Sequence, residues 1–190
     1  MLGPTRRERF EQVDGGAPPP RGYVINMTLT RPVSAIMTED VITLHEEDDL
    51  LEIDRGMQQY QLRHLPVVDG RKLVGLVTHR DLLRVSASSL EPEHVAAARD
   101  AEAKSQTFVS SVMTRSVKTV SPDTPLSEAV RALVEGRFGC LPVVDDAGDL
   151  VGIVTEHDML KLLVEVLVLE DQQGRANDAA VPKIQAVPDP

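Results

Sequence analysis

The stretch LVGLVTHRDLL (73–83) returns as LVGIVTEHDML (150–160), identical at seven of eleven positions. Upstream of each copy the agreement continues: HLPVVD (64–69) matches CLPVVD (140–145), and SAIMT (34–38) matches SSVMT (110–114). The offset is 76 through Pro66 and Pro142 and 77 from there on, so the second copy holds one extra residue near Asp146 to Gly148, where a turn can absorb it. A repeat of this length is one supersecondary unit written twice, and it organises everything else in the chain.

Within each copy the order of patterns is the same. A short β-branched run (Val41 to Leu44; Val117 to Val120) leads into an apolar-periodic helix (about 48–61; 125–136). Two apolar strands follow around turn residues: Leu65 to Val68 and Leu73 to Val77 in the first copy, Leu141 to Val144 and Leu150 to Val154 in the second. A last helix begins after Thr78 and after Thr155. The predicted fold class is therefore α/β, two β-α-β-β-α units. Strands apolar at every position need cover on both faces, which one small unit cannot supply, so the copies are expected to pack on each other.

The units are expected over 31–90 and 109–170, preceded by a disordered leader (1–30, with Gly15, Gly16 and the run Pro18 to Pro20) and followed by a flexible tail (171–190). Met27, just ahead of the first patterned segment, is a candidate translation start. Between the units, 91–108 reads as a helical linker: Glu91 to Lys104 is rich in Ala and Glu, with Pro92 where a first turn tolerates it, and its expected role is a solvated surface helix. Met159 to Leu169 has Lys161 and Glu165 as its only charges; a helix so apolar calls for burial, and burial beyond one chain means a subunit interface, so a homodimer is expected.

Composition narrows the function classes. Thirty acidic against twenty basic residues give a net charge of -10, which repels nucleic acid and anionic membranes, and no Trp, two Tyr and three Phe leave little to stack on bases. No apolar stretch is long enough to span a bilayer, so no membrane insertion is expected. The one cysteine, Cys140, has no disulfide partner in the chain, and no cluster of metal ligands accompanies it; a reducing, cytoplasmic setting fits. His64 has no nucleophile or carboxylate at catalytic spacing and reads as a pocket wall, and the two repeats use almost all of the 190 residues, so no catalytic residues and no enzyme activity are expected.

The order SxxMT, xLPVVD, LVGxVTxxDxL, present in two complete copies over roughly 33–84 and 109–162, resembles that of CBS (cystathionine-beta-synthase-type) domains. The resemblance implies a pseudo-two-fold pair of units with ligand sites in the cleft between them, dimers of such pairs, and a regulatory role: binding AMP, ADP, ATP or S-adenosylmethionine as a ligand, not a cofactor, and signalling to an effector protein.

The signature that carries binding in that family stands here as Gly75, Thr78, Asp81 and again as Gly152, Thr155, Asp158. By the resemblance, Asp81 and Asp158 hold ribose hydroxyls, a task suited to a carboxylate that accepts two hydrogen bonds. Thr78 and Thr155 meet phosphate, with His79 and Arg80 adding positive charge in the first copy, while the glycines allow close approach to the ligand. The adenine pocket is expected from Val41, Ile42, His64 and Leu65 in the first copy and Val117, Lys118, Cys140 and Leu141 in the second. Glu156 and His157 replace His79 and Arg80 in the second copy, so the two sites are expected to differ, with phosphates favouring the first. Thr-x-x-Asp ahead of an apolar helix is also a capping box that needs no ligand, which leaves a structural dimerisation scaffold as the alternative.

Overall fold

A computed structural model describes residues 28–85 and 93–180, and side chains within these except at 93–96 and 173–180. The leader before residue 28, with the candidate start at Met27, and the last ten residues of the tail lie outside the described residues. Residues Leu29–Lys161 form one compact unit, and the chain enters a second at Leu162.

In chain order the elements are α1 (Leu50–Tyr60), β1 (His64–Asp69), β2 (Lys72–Thr78), α2 (His79–Val85), α3 (Glu93–Ser105), the single turn α4 (Val109–Val112), α5 (Leu126–Gly136), β3 (Cys140–Val144), β4 (Leu150–Thr155) and α6 (Glu156–Ala180). Asp49 starts α1 by accepting from the N–H groups of Leu51 and Glu52 at 3.0 and 3.1 Å. The helix stops at Gln61, and α5 stops at Arg137, each in the left-handed region (φ 55° and 52°) that satisfies the last carbonyls.

Each copy carries an antiparallel hairpin, β1 with β2 and β3 with β4, irregular at the matching points Val67/Val68 and Val143/Val144. The expected first strand of each copy shrinks to one residue. Leu44 bridges Val67 in parallel, donating its N–H to Pro66 O at 2.9 Å and accepting from Val68 N at 2.8 Å; Val120 does the same with Val143. Continuing the ladder one step would need an N–H from Pro66 or Pro142, and proline has none.

The two copies exchange their leading segments. Thr38 of the first pairs with Ile153 of β4 through two bonds of 2.9 Å, and Thr114 of the second pairs with Leu76 of β2 at 3.0 and 2.9 Å. Val109 and Met113 are buried in the first copy's core with Leu50, Ile53, Met57 and Leu82, while Val33, wholly buried, donates its N–H to Thr124 of the second copy. The boundary at 109 thus separates the copies in sequence but not in space.

The hairpin tips also meet. Asp149 pairs with Lys72 at 2.6 Å and Arg71 at 3.2 Å, and Leu150 donates its N–H to Arg71 O at 2.8 Å. The extra residue of the second copy sits in this turn, where Asp145 Oδ1 takes the N–H groups of Ala147 and Asp149, both at 2.9 Å, and Gly148 adopts φ 81°. The turn presents the Ala147 carbonyl to Lys72 Nζ.

Two expectations give way. The linker helix α3 is not merely solvated: Lys104, 4% exposed, reaches Asp54 of α1 and Asp100 at 2.8 Å each. Burial opposes its charge, but hydrogen bonds to the two carboxylates outweigh that and hold the ammonium above its usual range. At the other end α6 continues to Ala180, into the stretch expected as flexible tail from 171. Its apolar positions Leu160, Leu163, Val164, Leu167 and Val168 are half or more exposed or close to it, not buried within the chain. Among the described residues no helix is long and apolar enough to cross a membrane, and none of their His, Cys, Asp and Glu side chains gather as three around a metal position.

Candidate functional site

The hairpin register sets the site. His64 is the cross-strand partner of Thr78, and Cys140 of Thr155, so the residue before each LPVV run stands beside the Thr of each signature. Beyond the strand ends, His79 N donates to Arg63 O at 3.0 Å and Glu156 N to Gly139 O at 3.2 Å, which folds each helix start back onto the segment preceding its own first strand.

At both helix starts the Thr-x-x-Asp motif is closed on itself. Asp81 Oδ2 accepts from Thr78 N at 2.9 Å and Thr78 Oγ1 at 2.7 Å; Asp158 Oδ2 accepts from Thr155 N at 3.0 Å and Thr155 Oγ1 at 2.7 Å. The second oxygens differ. Asp81 Oδ1 meets Arg84 at 3.2 Å, an exposed partner worth little, while Asp158 Oδ1 has no partner among the described residues. A carboxylate has about four acceptor positions, so the cap leaves acceptor capacity unspent, although Asp81 is itself buried, at 7% exposure.

A cavity of about 560 Å³ opens between the copies, a volume suited to a nucleotide-sized ligand. The first copy supplies Thr78, His79, Arg80 and His64; the second supplies Val117, Lys118 and Cys140. The first copy's expected phosphate residues and the second copy's expected adenine residues therefore share one space. Glu156 lines it too, so the expected contrast between an Arg80 site and a Glu156 site does not describe this cavity, where both charges act. Nor is the start of α2 a strong anion site in itself, since the helix has only seven residues.

Other expected residues are placed elsewhere. Leu65 and Leu141, 4% and 0% exposed, spend their side chains in the core, leaving only backbone for a ligand; Val41 and Ile42 do not line the cavity, nor do Thr155 and the two expected ribose carboxylates, Asp81 and Asp158. The glycines approach protein instead of cavity: a Cβ on Gly75 would lie 2.5 Å from Met113 Sδ, and one on Gly152 2.7 Å from Met37 Sδ. Close approach is needed there for the exchanged Met-Thr segments. Arg63, Arg137, Phe138 and Ser116 line the cavity without having been singled out. Arg63 was within reach of the sequence, since it directly precedes His64; Arg137 enters through the left-handed turn after α5, which no motif marks.

The chemistry of the walls is that of binding. Burial pushes the Cys140 thiol up to about 12, so it is no thiolate near neutral pH. Burial draws His64 below its ordinary value, against the pull of the Glu156 carboxylate. Its ring packs over Gly139, where a Cβ would meet Nε2 at 2.5 Å.

Comparison with known proteins places these features. The sequence pattern of the CBS domain matches residues 33–88 and 109–165, together more than half of the chain. An inosine-5'-monophosphate dehydrogenase of Korarchaeum cryptofilum is 31% identical over 80% of this chain, and one from Methanocaldococcus jannaschii 35% identical over 76%. The chain spans only 28% and 26% of those two proteins. Among solved structures, the CBS-pair protein CBSX2 from Arabidopsis thaliana covers 72% of this chain and 96% of its own (TM-score 0.62, 26% identity). CBSX2 in complex with AMP gives a TM-score of 0.60 at 27% identity, over 71% of this chain and 97% of that one. The CBS domain pair of protein MJ0100, in complex with 5-methylthioadenosine and S-adenosyl-L-methionine, covers 70% of this chain and 96% of its own (TM-score 0.57, 28% identity).

Proposed function

The chain belongs to the CBS domain family, and from that premise we propose that it is a non-catalytic regulatory module that binds an adenosine-containing nucleotide between its two copies and passes the signal to a partner protein in the cytoplasm. The observation that carries this reading is the cavity of about 560 Å³ to which both copies contribute. Solved CBS pairs of similar fold hold AMP, or 5-methylthioadenosine and S-adenosylmethionine, which supports the same ligand class here. In this reading Thr78, His79 and Arg80, which line the cavity, face phosphate, and Asp81 and Asp158, which stand behind its lining, take ribose hydroxyls only if the ligand draws their remaining oxygens toward it.

The test is a thermal-shift panel of AMP, ADP, ATP, S-adenosylmethionine, NAD and cyclic dinucleotides. A ligand at a hundred times its dissociation constant adds about 2.7 kcal/mol to stability. A shift with at least one adenosine compound upholds the proposal, and none with any of them favours the second reading, a dimerisation scaffold. One observation speaks for that alternative: both signature carboxylates already serve as complete helix caps.

A further inference from the structure

We propose, resting on the nucleotide reading of this same cavity, that it selects its ligand by a chain of linked phosphates, and that Arg63 and Arg80 of the first copy with Lys118 and Arg137 of the second are the residues that read that chain.

The charge distribution points this way. The whole protein carries a net charge of -10, yet this cavity is lined by four Lys and Arg side chains and one carboxylate, Glu156. Elsewhere in the compact unit several cations are neutralised, Arg71 and Lys72 by Asp149, Arg84 by Asp81, Arg115 by Glu46, Lys104 by two aspartates, while Arg31, Arg55, Arg131 and Lys161 stand unpaired among the described residues but do not line this cavity. The four in the cavity make no ion pair with any described residue. Like charges gathered in a concavity repel one another, and an entering anion relieves that repulsion.

The number of charges decides which anion. A monophosphate brings at most two negative charges and leaves the cavity cationic, whereas a triphosphate brings about four and can span separate walls, with arginine forks gripping the oxygens in pairs. S-adenosylmethionine, whose sulfonium and ammonium groups outweigh its one carboxylate, carries a net positive charge and adds to the repulsion. Arg137 holds φ 52°, a conformation in which glycine is the usual occupant and any side chain is a cost. The matching helix end of the first copy holds Gln61 at φ 55° outside the cavity, so the backbone is common to both copies and what distinguishes Arg137 is its cation on the cavity wall.

The experiment is calorimetric titration of the full chain with ATP, AMP, adenosine, S-adenosylmethionine and inorganic tripolyphosphate. ATP is expected to bind at least tenfold more tightly than AMP, S-adenosylmethionine most weakly, and tripolyphosphate alone to bind and to compete with ATP. Arg63→Gln and Arg137→Gln are each expected to lower ATP affinity about fivefold or more, from a Coulomb interaction of at least about 1 kcal/mol per cation, with adenosine affinity unchanged. Both side chains are exposed, so unaltered thermal unfolding of the free variants is the folding control. Tripolyphosphate binding as well as ATP, with adenosine inert, upholds phosphate selection and removes the nucleotide reading. Adenosine, AMP and ATP binding alike, or S-adenosylmethionine binding best, upholds the nucleotide reading and overturns this one. If no compound binds, both fall.

Discussion

The sulfur of Met113 lies 2.5 Å from where a side chain on Gly75 would begin, and the carbonyl of Thr114 lies 3.3 Å away. On the other side of the pair, a Cβ on Gly152 would stand 2.7 Å from Met37 Sδ and 3.0 Å from Thr38 O. The glycines of the signature make room for the Met-Thr segment that each copy lends to the other.

Gly75→Ala and Gly152→Ala are therefore expected to destabilise the protein by about 1–3 kcal/mol each, as overpacked cores do. A methionine side chain can swing away but a paired carbonyl cannot, so Gly152→Ala is the costlier. Urea unfolding of the two variants measures this, and a neutral Gly152→Ala would show that the exchanged segments are loosely held.

Asp81→Ala and Asp158→Ala each remove a cap that satisfies an N–H and a hydroxyl, at a cost of about 0.5–2 kcal/mol, not enough to unfold a stable domain. Both variants are expected to fold, and Asp81→Ala to weaken nucleotide binding. Calorimetry with unchanged affinity in both would leave these carboxylates as caps alone.

Arg137→Gly separates backbone cost from charge. Glycine relieves the left-handed strain, worth about 1–2 kcal/mol, and gives back about 0.5–1 kcal/mol through the entropy of the unfolded chain. Stability is expected to be unchanged or improved by up to about 1.5 kcal/mol, read by thermal unfolding, while ATP affinity falls. Loss of stability without loss of affinity would assign Arg137 to structure.

His64 makes stability depend on pH with a definite sign. Its folded value lies below the ordinary 6.5, so between the two the unfolded chain binds more protons and stability rises with pH. The favourable contribution is complete above 6.5 and is lost as pH falls toward the folded value. Melting curves taken between pH 5 and 7.5 are expected to flatten in His64→Gln; an identical slope would place the pH dependence elsewhere.

Leu160, Leu163, Val164, Leu167 and Val168 fall at i, i+3, i+4, i+7 and i+8 on α6, a single stripe of 49–60% exposed apolar side chains. A dimer is the expected state, and Leu163→Glu with Leu167→Glu is expected to give monomers. Sedimentation of the unaltered chain as a monomer at micromolar concentration would remove the subunit-interface reading.

The duplication made most of the fold legible, because LPVV and the two signatures repeat at fixed spacing and each hairpin register follows from them. Period and turn chemistry are local, and local signals survive in a sequence. The first strands failed for a reason also present in the letters: Pro66 and Pro142 stop the ladder they would have joined. What could not be read was pairing between copies. Nothing in SAIMT or SSVMT says which hairpin it joins, so the letters alone do not show that Gly75 and Gly152 make room for Met113 and Met37, or that the residues after Thr78 and Thr155 share one cavity.

The exchanged segments also govern when the protein can be finished. Thr38 cannot close its bridge until Ile153 exists, which at about 5–20 residues per second of synthesis leaves the first copy waiting several seconds for its partner strand. Contacts this distant in sequence slow folding, because loop closure comes before any reward. During translation the first hairpin stands without Thr114 beside Leu76, its edge open to other nascent chains. Slowing the ribosome between the copies lengthens that exposure, and aggregation on the ribosome is where a weakened exchange would first be felt.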